Sequence, residues 1–174
     1  AAKRKLFEGE RCKCAVLNFD GEEGRALAAV AQKSVSYALE NRSEVFAVDI
    51  AEDFGGCRYI INLFDELYEI RLNMTGRHNV YNSMAAAECA KLIGIPVPVI
   101  AEGLASLEKV SGRLERAGKY RGADIFVDFA HTPDGLEKSL RALRPHCRGR
   151  LVCLFGCGGN RDALKRPLMG EISA

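Results

Sequence analysis

Apolar and polar positions along the chain alternate between two rhythms, a strand-like period of two and a helix-like period near ~3.6. Residues 14–19, CAVLNF, form a continuous apolar run that predicts a buried strand. The DGEEGRALAAVAQ that follows predicts an amphipathic helix with acidic residues in its first turn, where the helix dipole favours them. Four short runs rich in β-formers come next, SVSYAL, EVFAVDI, CRYIINLF and YEIRLN, separated by Asn, Glu, Asp and Gly-Gly. Their alternation predicts a strand-dominated, antiparallel edge region. From Gly76, GRHNVYNSMAAAECAKLIG keeps Val80, Met84, Ala87 and Leu92 on a helical spacing, and Gly94 with Pro96 predicts its end. A second helix is expected over residues 97–107.

Residues 109–122, KVSGRLERAGKYRG, are rich in glycine and basic side chains and read as a linker, with a domain boundary near Gly112. Beyond it the pattern predicts β-α-β: DIFVDF as a strand, Thr132 as N-cap with Pro133 at the first helical position, a helix to about Leu143, then RLVCLF as a second strand. This is the opening of a parallel sheet. Residues 151–155 are apolar at every position, which calls for cover on both faces. The closing KRPLMGEISA reads as another helix.

Composition narrows the classes. The 174 residues are 48% hydrophobic and 28% charged with a net charge of +2, enough for one or two packed domains and too balanced to suggest a nucleic-acid partner. The KRK run at residues 3–5 reads from its charge alone as a solvated helix face. Seven cysteines, an odd number, sit in helical and strand patterns, and the three histidines are scattered. The cysteines are therefore expected to be reduced, with no structural zinc site. No stretch is long and apolar enough for a membrane span, and a cytoplasmic location with no membrane partner is expected.

RLVCLFGCGGNRD, residues 150–162, holds the most distinctive chemistry. A glycine-rich turn after a strand suggests a phosphate cradle. Counted from Gly156, the last glycine of both the Walker loop and the dinucleotide fingerprint falls on Arg161, so neither motif is met. A tight βα turn remains one reading. A second is a ligand site, because arginine's planar fork suits carboxylates.

Three stretches in order, GRHNVYNSMAAA from Gly76, VDFAHTPDGLEKSL from Val127 and LFGCGGNRDALKRPLMGEI from Leu154, with GRLE at Gly112 between the first two, resemble the Mur ligase family. The likeness is to its tripeptide-forming branch and runs along nearly the whole chain. It implies an α/β fold: residues 1–111 as the back part of the central ATP-binding domain, residues 112–174 as the start of a Rossmann-like C-terminal domain. The family's UDP-binding domain, its GKT phosphate loop and its DNPR acceptor motif have no counterpart here, so the sequence is expected to be a piece of a longer protein.

The resemblance implies ATP and Mg2+ as cofactors. Its reaction makes an acyl phosphate on UDP-MurNAc-L-Ala-D-Glu, which the amine of meso-diaminopimelate or L-lysine attacks. Lys3, in AAKRKLF, matches the lysine that carries a carbamate and serves the metal. Such a lysine must first fall from its ordinary pKa near ~10.4 to offer a neutral amine. Asn79 and Asn82 match positions on the adenine side, and Arg113 matches an arginine reaching the nucleotide across a cleft that closes on it. Asp128 is suited to accept ribose hydroxyl bonds and His131 to donate to a phosphate oxygen. Arg161 matches the group that pairs with the carboxylate of the incoming amino acid. His78 and His146 are read as structural. Ser111, Phe129, Asn160 and Leu164 depart from the residues usual in the family. Two other classes stay open: a non-catalytic nucleotide-binding module, which the chain alone would be without a phosphate loop, and a dinucleotide-dependent oxidoreductase.

Overall fold

The computed structural model describes residues 3–9, 12–158 and 162–174, with the Lys3 side chain also outside the description. Five strands form the first sheet in the order β1 (Ala15–Asn18), β2 (Ser34–Ala38), β3 (Val45–Asp53), β4 (Gly56–Leu63), β5 (Glu66–Leu72). β1 and β2 are parallel, joined through helix α1 (Glu22–Ala28), and β2 pairs parallel with β3 over two residue pairs. β3, β4 and β5 are antiparallel neighbours. The antiparallel expectation thus holds for the last three strands, and β2 corrects it. Ser34–Ala38 is the second strand of a β-α step, and its parallel register is set by the α1 crossover.

Period-two alternation places one face of this sheet inside. Tyr59, Ile61 and Leu63 of β4 and Ile70 and Leu72 of β5 point inward, while Arg58, Glu69 and Arg71 lie outside. The β4–β5 hairpin turns on Phe64 and Asp65, both at positive φ (53° and 65°), the geometry whose twist matches paired strands. Helices α2 (Arg77–Leu92) and α3 (Val97–Ser106) cover the inward face. Val80, Met84 and Ala87 of α2 and Val97 and Ile100 of α3 complete the core. Inside it, the Tyr59 hydroxyl and Ser83 Oγ lie 2.7 Å apart, so the buried phenol is satisfied.

The second part begins with an antiparallel hairpin, β6 (Glu115–Tyr120) and β7 (Ala123–Val127), followed by α4 (Pro133–Leu143) and α5 (Lys165–Ser173). Thr132 caps α4 as the sequence predicts, its Oγ1 accepting the Gly135 N–H at 3.1 Å. Leu136, Leu143 and Met169 are buried in this part. Two readings are corrected. Residues 115–120, taken as linker, form β6; its glycine and charges mask the strand, which is fixed across the hairpin by the Arg116–Asp124 ion pair. Residues 151–155 form no strand: Val152 is 75% and Leu154 98% exposed. An apolar run becomes a strand only where a neighbour offers a ladder and cover, and here no described residue does so. All seven cysteines are free thiols. No helix among the described residues is long and apolar enough to cross a membrane.

Candidate functional site

The residues singled out by sequence converge where the linker meets the carboxyl end of β7. Asp128, just past that strand, spends both carboxylate oxygens on the surrounding chain. Oδ2 accepts the Leu114 N–H at 2.7 Å; Oδ1 accepts the Ala130 N–H at 2.8 Å and the Ser139 hydroxyl at 3.1 Å. One carboxylate therefore ties the linker, the β7–α4 loop and the middle of α4 together. The Phe129 N–H donates to the Gly112 carbonyl at 2.7 Å, closing the same seam. Gly112 (φ 67°) and Leu114 (φ 45°) both take left-handed conformations, which turn the chain so that Arg113 stands outward between them.

The Arg113 guanidinium lies 5.5 Å from the centroid of the Phe129 ring, and the His131 ring meets the same phenyl edge-on at 5.2 Å. Arg113 has no ion-pair or hydrogen-bond partner for its guanidinium among the described residues, so its charge is available to a ligand. His131 is exposed, with Nδ1 3.0 Å from the Phe129 carbonyl. That oxygen can only accept, so Nδ1 carries the proton and Nε2 is left for other partners. Lys165, at the start of α5, donates from Nζ to the His131 carbonyl at 2.9 Å. Arg113, Asp128 and His131 are thus brought together.

Across this junction lies the start of α2. Asn79 is buried, and its side-chain amide donates to the Thr75 carbonyl at 2.8 Å, which fixes the chain entering the helix. Asn82, one turn on, is exposed. The two amides therefore differ in environment: one is spent on the backbone and the other faces solvent. His78 is half-buried beside Asp128; burial pushes its imidazole down from the ordinary value, against the opposing pull of Asp128 and Glu52. Phe54, at the β3–β4 turn, packs on Phe126 and His146 at 5.3 and 5.5 Å and holds the two parts together. A cavity of about 300 Å³ beside it is lined by Phe54, Thr75, Lys109 and Arg113, and another of about 370 Å³ lies away from this junction, over the β2–β3 loop.

Arg161 lies outside the described residues, as does the Lys3 side chain, so the acceptor and metal readings are not placed. Among the described residues no group of three His, Cys, Asp or Glu side chains could hold a metal. Sequence reasoning missed Asp20 and Tyr81, whose contact spans 61 positions. It also missed Glu88, fully buried on α2. The last was legible in principle, since it falls one turn after Met84 on the apolar stripe.

Two linked α/β parts, with an arginine, a carboxylate and a histidine gathered just past the end of a hairpin strand, place the chain among the α/β proteins. Residues 1–90 match the Mur ligase middle domain and residues 112–174 the Mur ligase glutamate ligase domain, and the chain belongs to the Mur ligase family. It is 42% identical, over 99% of its length, to a UDP-N-acetylmuramoyl-L-alanyl-D-glutamate--2,6-diaminopimelate ligase of Pseudomonas syringae pv. tomato, and 42% identical to the ligase of the same name from Pseudomonas aeruginosa. It spans 36% of the length of each. A solved structure of a ligase of that name covers 99% of this chain and 37% of its own, with TM-score 0.72 and 29% identity. The fold is also shared with the MurF ligase of Thermotoga maritima, solved in complex with ADP, at TM-score 0.67 and 22% identity over 82% of this chain and 33% of that one.

Proposed function

We propose that the whole protein is a cytosolic, ATP-dependent amide ligase of peptidoglycan precursor synthesis that adds meso-diaminopimelate to UDP-MurNAc-L-Ala-D-Glu. The observation that carries this reading is the 42% identity to a diaminopimelate ligase, continuous through 99% of the chain. The meeting of Arg113, Asp128 and His131 at one strand end supports it. In this reading the γ-phosphoryl group of ATP passes to the D-glutamate side-chain carboxylate, and ADP leaves. The amine of the diamino acid then attacks the acyl carbon, phosphate departs, and the amine proton goes to solvent or a base.

The residues of this chain act mainly by positioning and charge neutralisation. Asn82 offers its exposed amide to the adenine, and Asn79 supports it from behind by holding the turn before α2. Arg113, steadied on Phe129, faces the nucleotide phosphates. Asp128 receives a ribose hydroxyl at the one lone pair left on Oδ2, and His131, with both ring nitrogens protonated, donates from Nε2 to a phosphate oxygen. Lys3, as its carbamate, would hold magnesium through an anionic oxygen, and the ion would supply charge neutralisation for the phosphoryl transfer. Arg161 holds the carboxylate of the incoming diamino acid.

The test is amide formation by the full-length protein, read as phosphate released only when ATP, the UDP-dipeptide and diaminopimelate are all present. The 174-residue chain alone is expected to be inactive. Tight NAD(P) binding by the full-length protein without ATP hydrolysis would overturn the reading in favour of an oxidoreductase. Within it, Arg161→Ala is expected to raise the KM for diaminopimelate about 10-fold, the loss of one charge-assisted contact, with the KM for ATP nearly unchanged. Equal effects on both would remove Arg161 from the acceptor site.

A further inference from the structure

Tyr81 sits between the two α2 asparagines, and its hydroxyl donates to Asp20 Oδ2 at 2.7 Å. Asp20 lies two residues past the carboxyl end of β1, and the segment it holds, Leu39 to Asn41, lies directly past the carboxyl end of β2. Its carboxylate accepts the backbone N–H groups of Leu39 at 2.6 Å, Asn41 at 2.8 Å and Glu40 at 3.2 Å, and the Asn41 side-chain amide at 2.8 Å. Burial works against its charge, but the donors from Leu39, Tyr81, Asn41 and Glu40 outweigh it and hold the carboxyl down at about 2. An ion pair between Arg77 and Glu40 ties the first turn of α2 to the same loop. The carboxyl edge of the parallel strands, where ligands of α/β sheets gather, is therefore joined to α2 at the residue next to Asn82.

We propose that Asp20 and Tyr81 are positioning residues that fix the rotation of α2 and so aim Asn82 at the nucleotide base. This rests on the reading of Asn82 given above. The pair acts from behind the helix: Asn79 pins the entering chain, Tyr81 pins the following residue, and Asn82 is left exposed between these restraints and solvent. Neither Asp20 nor Tyr81 touches the nucleotide in this assignment. Their effect must therefore pass through Asn82, which separates them from residues that only stabilise the fold.

In the full-length protein, Tyr81→Phe is expected to raise the KM for ATP about 10-fold, equivalent to ~1.4 kcal/mol, with kcat and the KM values of the other substrates within about 2-fold. Asp20→Asn should act in the same direction. Introduced into an Asn82→Ala background, Tyr81→Phe should add less than about 2-fold, because the group it aims is gone. The proposal is overturned if Tyr81→Phe leaves the KM for ATP unchanged while Asn82→Ala raises it, or if the two effects multiply. It is equally overturned if Tyr81→Phe raises the KM of every substrate together with a lowered Tm, which marks general loosening. An Asn82→Ala enzyme with unaltered KM for ATP removes the reading of Asn82 and this proposal with it. A full-length protein with no ATP-dependent amide formation removes the functional reading as a whole.

Discussion

Glu88→Met is expected to stabilise the full-length protein and to flatten its stability between pH 5 and 8. Glu88 is wholly buried on the inner stripe of α2, and neither carboxylate oxygen has a hydrogen-bond partner among the described residues. Burial, reinforced by the nearby Glu44 carboxylate, pushes its pKa from 4.5 up to about 8. The folded state thus holds a proton that the unfolded state gives up near 4.5. Stability is full below that value and falls as pH rises toward 8, by up to ~1.4 kcal/mol per pH unit. Methionine keeps the length of the side chain without a charge or a polar atom. The gain should be ~4 kcal/mol larger at pH 8 than at pH 4, where only the unsatisfied neutral carboxyl is relieved, read as Tm against pH for both proteins. A loss of stability on substitution would show instead that the rest of the protein supplies a cation to this carboxylate, since breaking a buried pair costs about 3–5 kcal/mol.

The second large effect falls on Asp128. Asp128→Ala strands two donors, the N–H groups of Leu114 and Ala130, at a half-buried position, while the Ser139 hydroxyl keeps the Gly135 carbonyl at 2.9 Å. Each hydrogen bond to a charged acceptor contributes ~1.5–3 kcal/mol at most, and water recovers part of the loss, so about 3 kcal/mol of destabilisation is expected. Asp128→Asn gives little relief. Both oxygens accept from backbone N–H groups, and an amide must turn its NH2 toward one of them. On the proposed reading the KM for ATP should rise about 100-fold in Asp128→Ala, because the ribose acceptor and the seam that holds Arg113 go together. Denaturant unfolding and initial-rate kinetics check the two halves separately. A stability loss with an unchanged KM for ATP would make Asp128 a purely structural tie.

Much of the fold was legible where local pattern and chemistry agree. Val80, Met84 and Ala87 announce α2 by spacing, and Thr132-Pro133 announces the start of α4 by capping chemistry. Residues 151–155 show where periodicity stops: it reports a demand for burial, not whether a neighbouring strand meets it. β6 failed for the opposite reason, since Gly118 and three charged side chains hide a strand whose stability comes from pairing with β7. At the candidate site, Arg113, Asp128 and His131 were found through motif resemblance, and the structure brings them together. Asp20 and Tyr81 could not be paired from sequence, because only the sheet brings a β1 loop to the side of α2. Asn79 and Asn82 looked equivalent in sequence, and burial alone separates a residue that shapes the helix start from one that can meet a ligand.

The seam between linker and strand end also fixes where the molecule can bend. Gly112 and Leu114 are fastened to Phe129 and Asp128, Gly112 is further held through its N–H by Glu115, and Lys109 reaches the same Glu115 at 2.7 Å. A swing of the second part would then pivot between Leu107, whose carbonyl is held by Asn73, and Lys109, and would have to part Phe54 from Phe126 and His146. Arg113 lies on the moving side of that pivot. It travels with the arm, and Asn82 stays with the base, so the two ends of a bound nucleotide would report the angle of the swing.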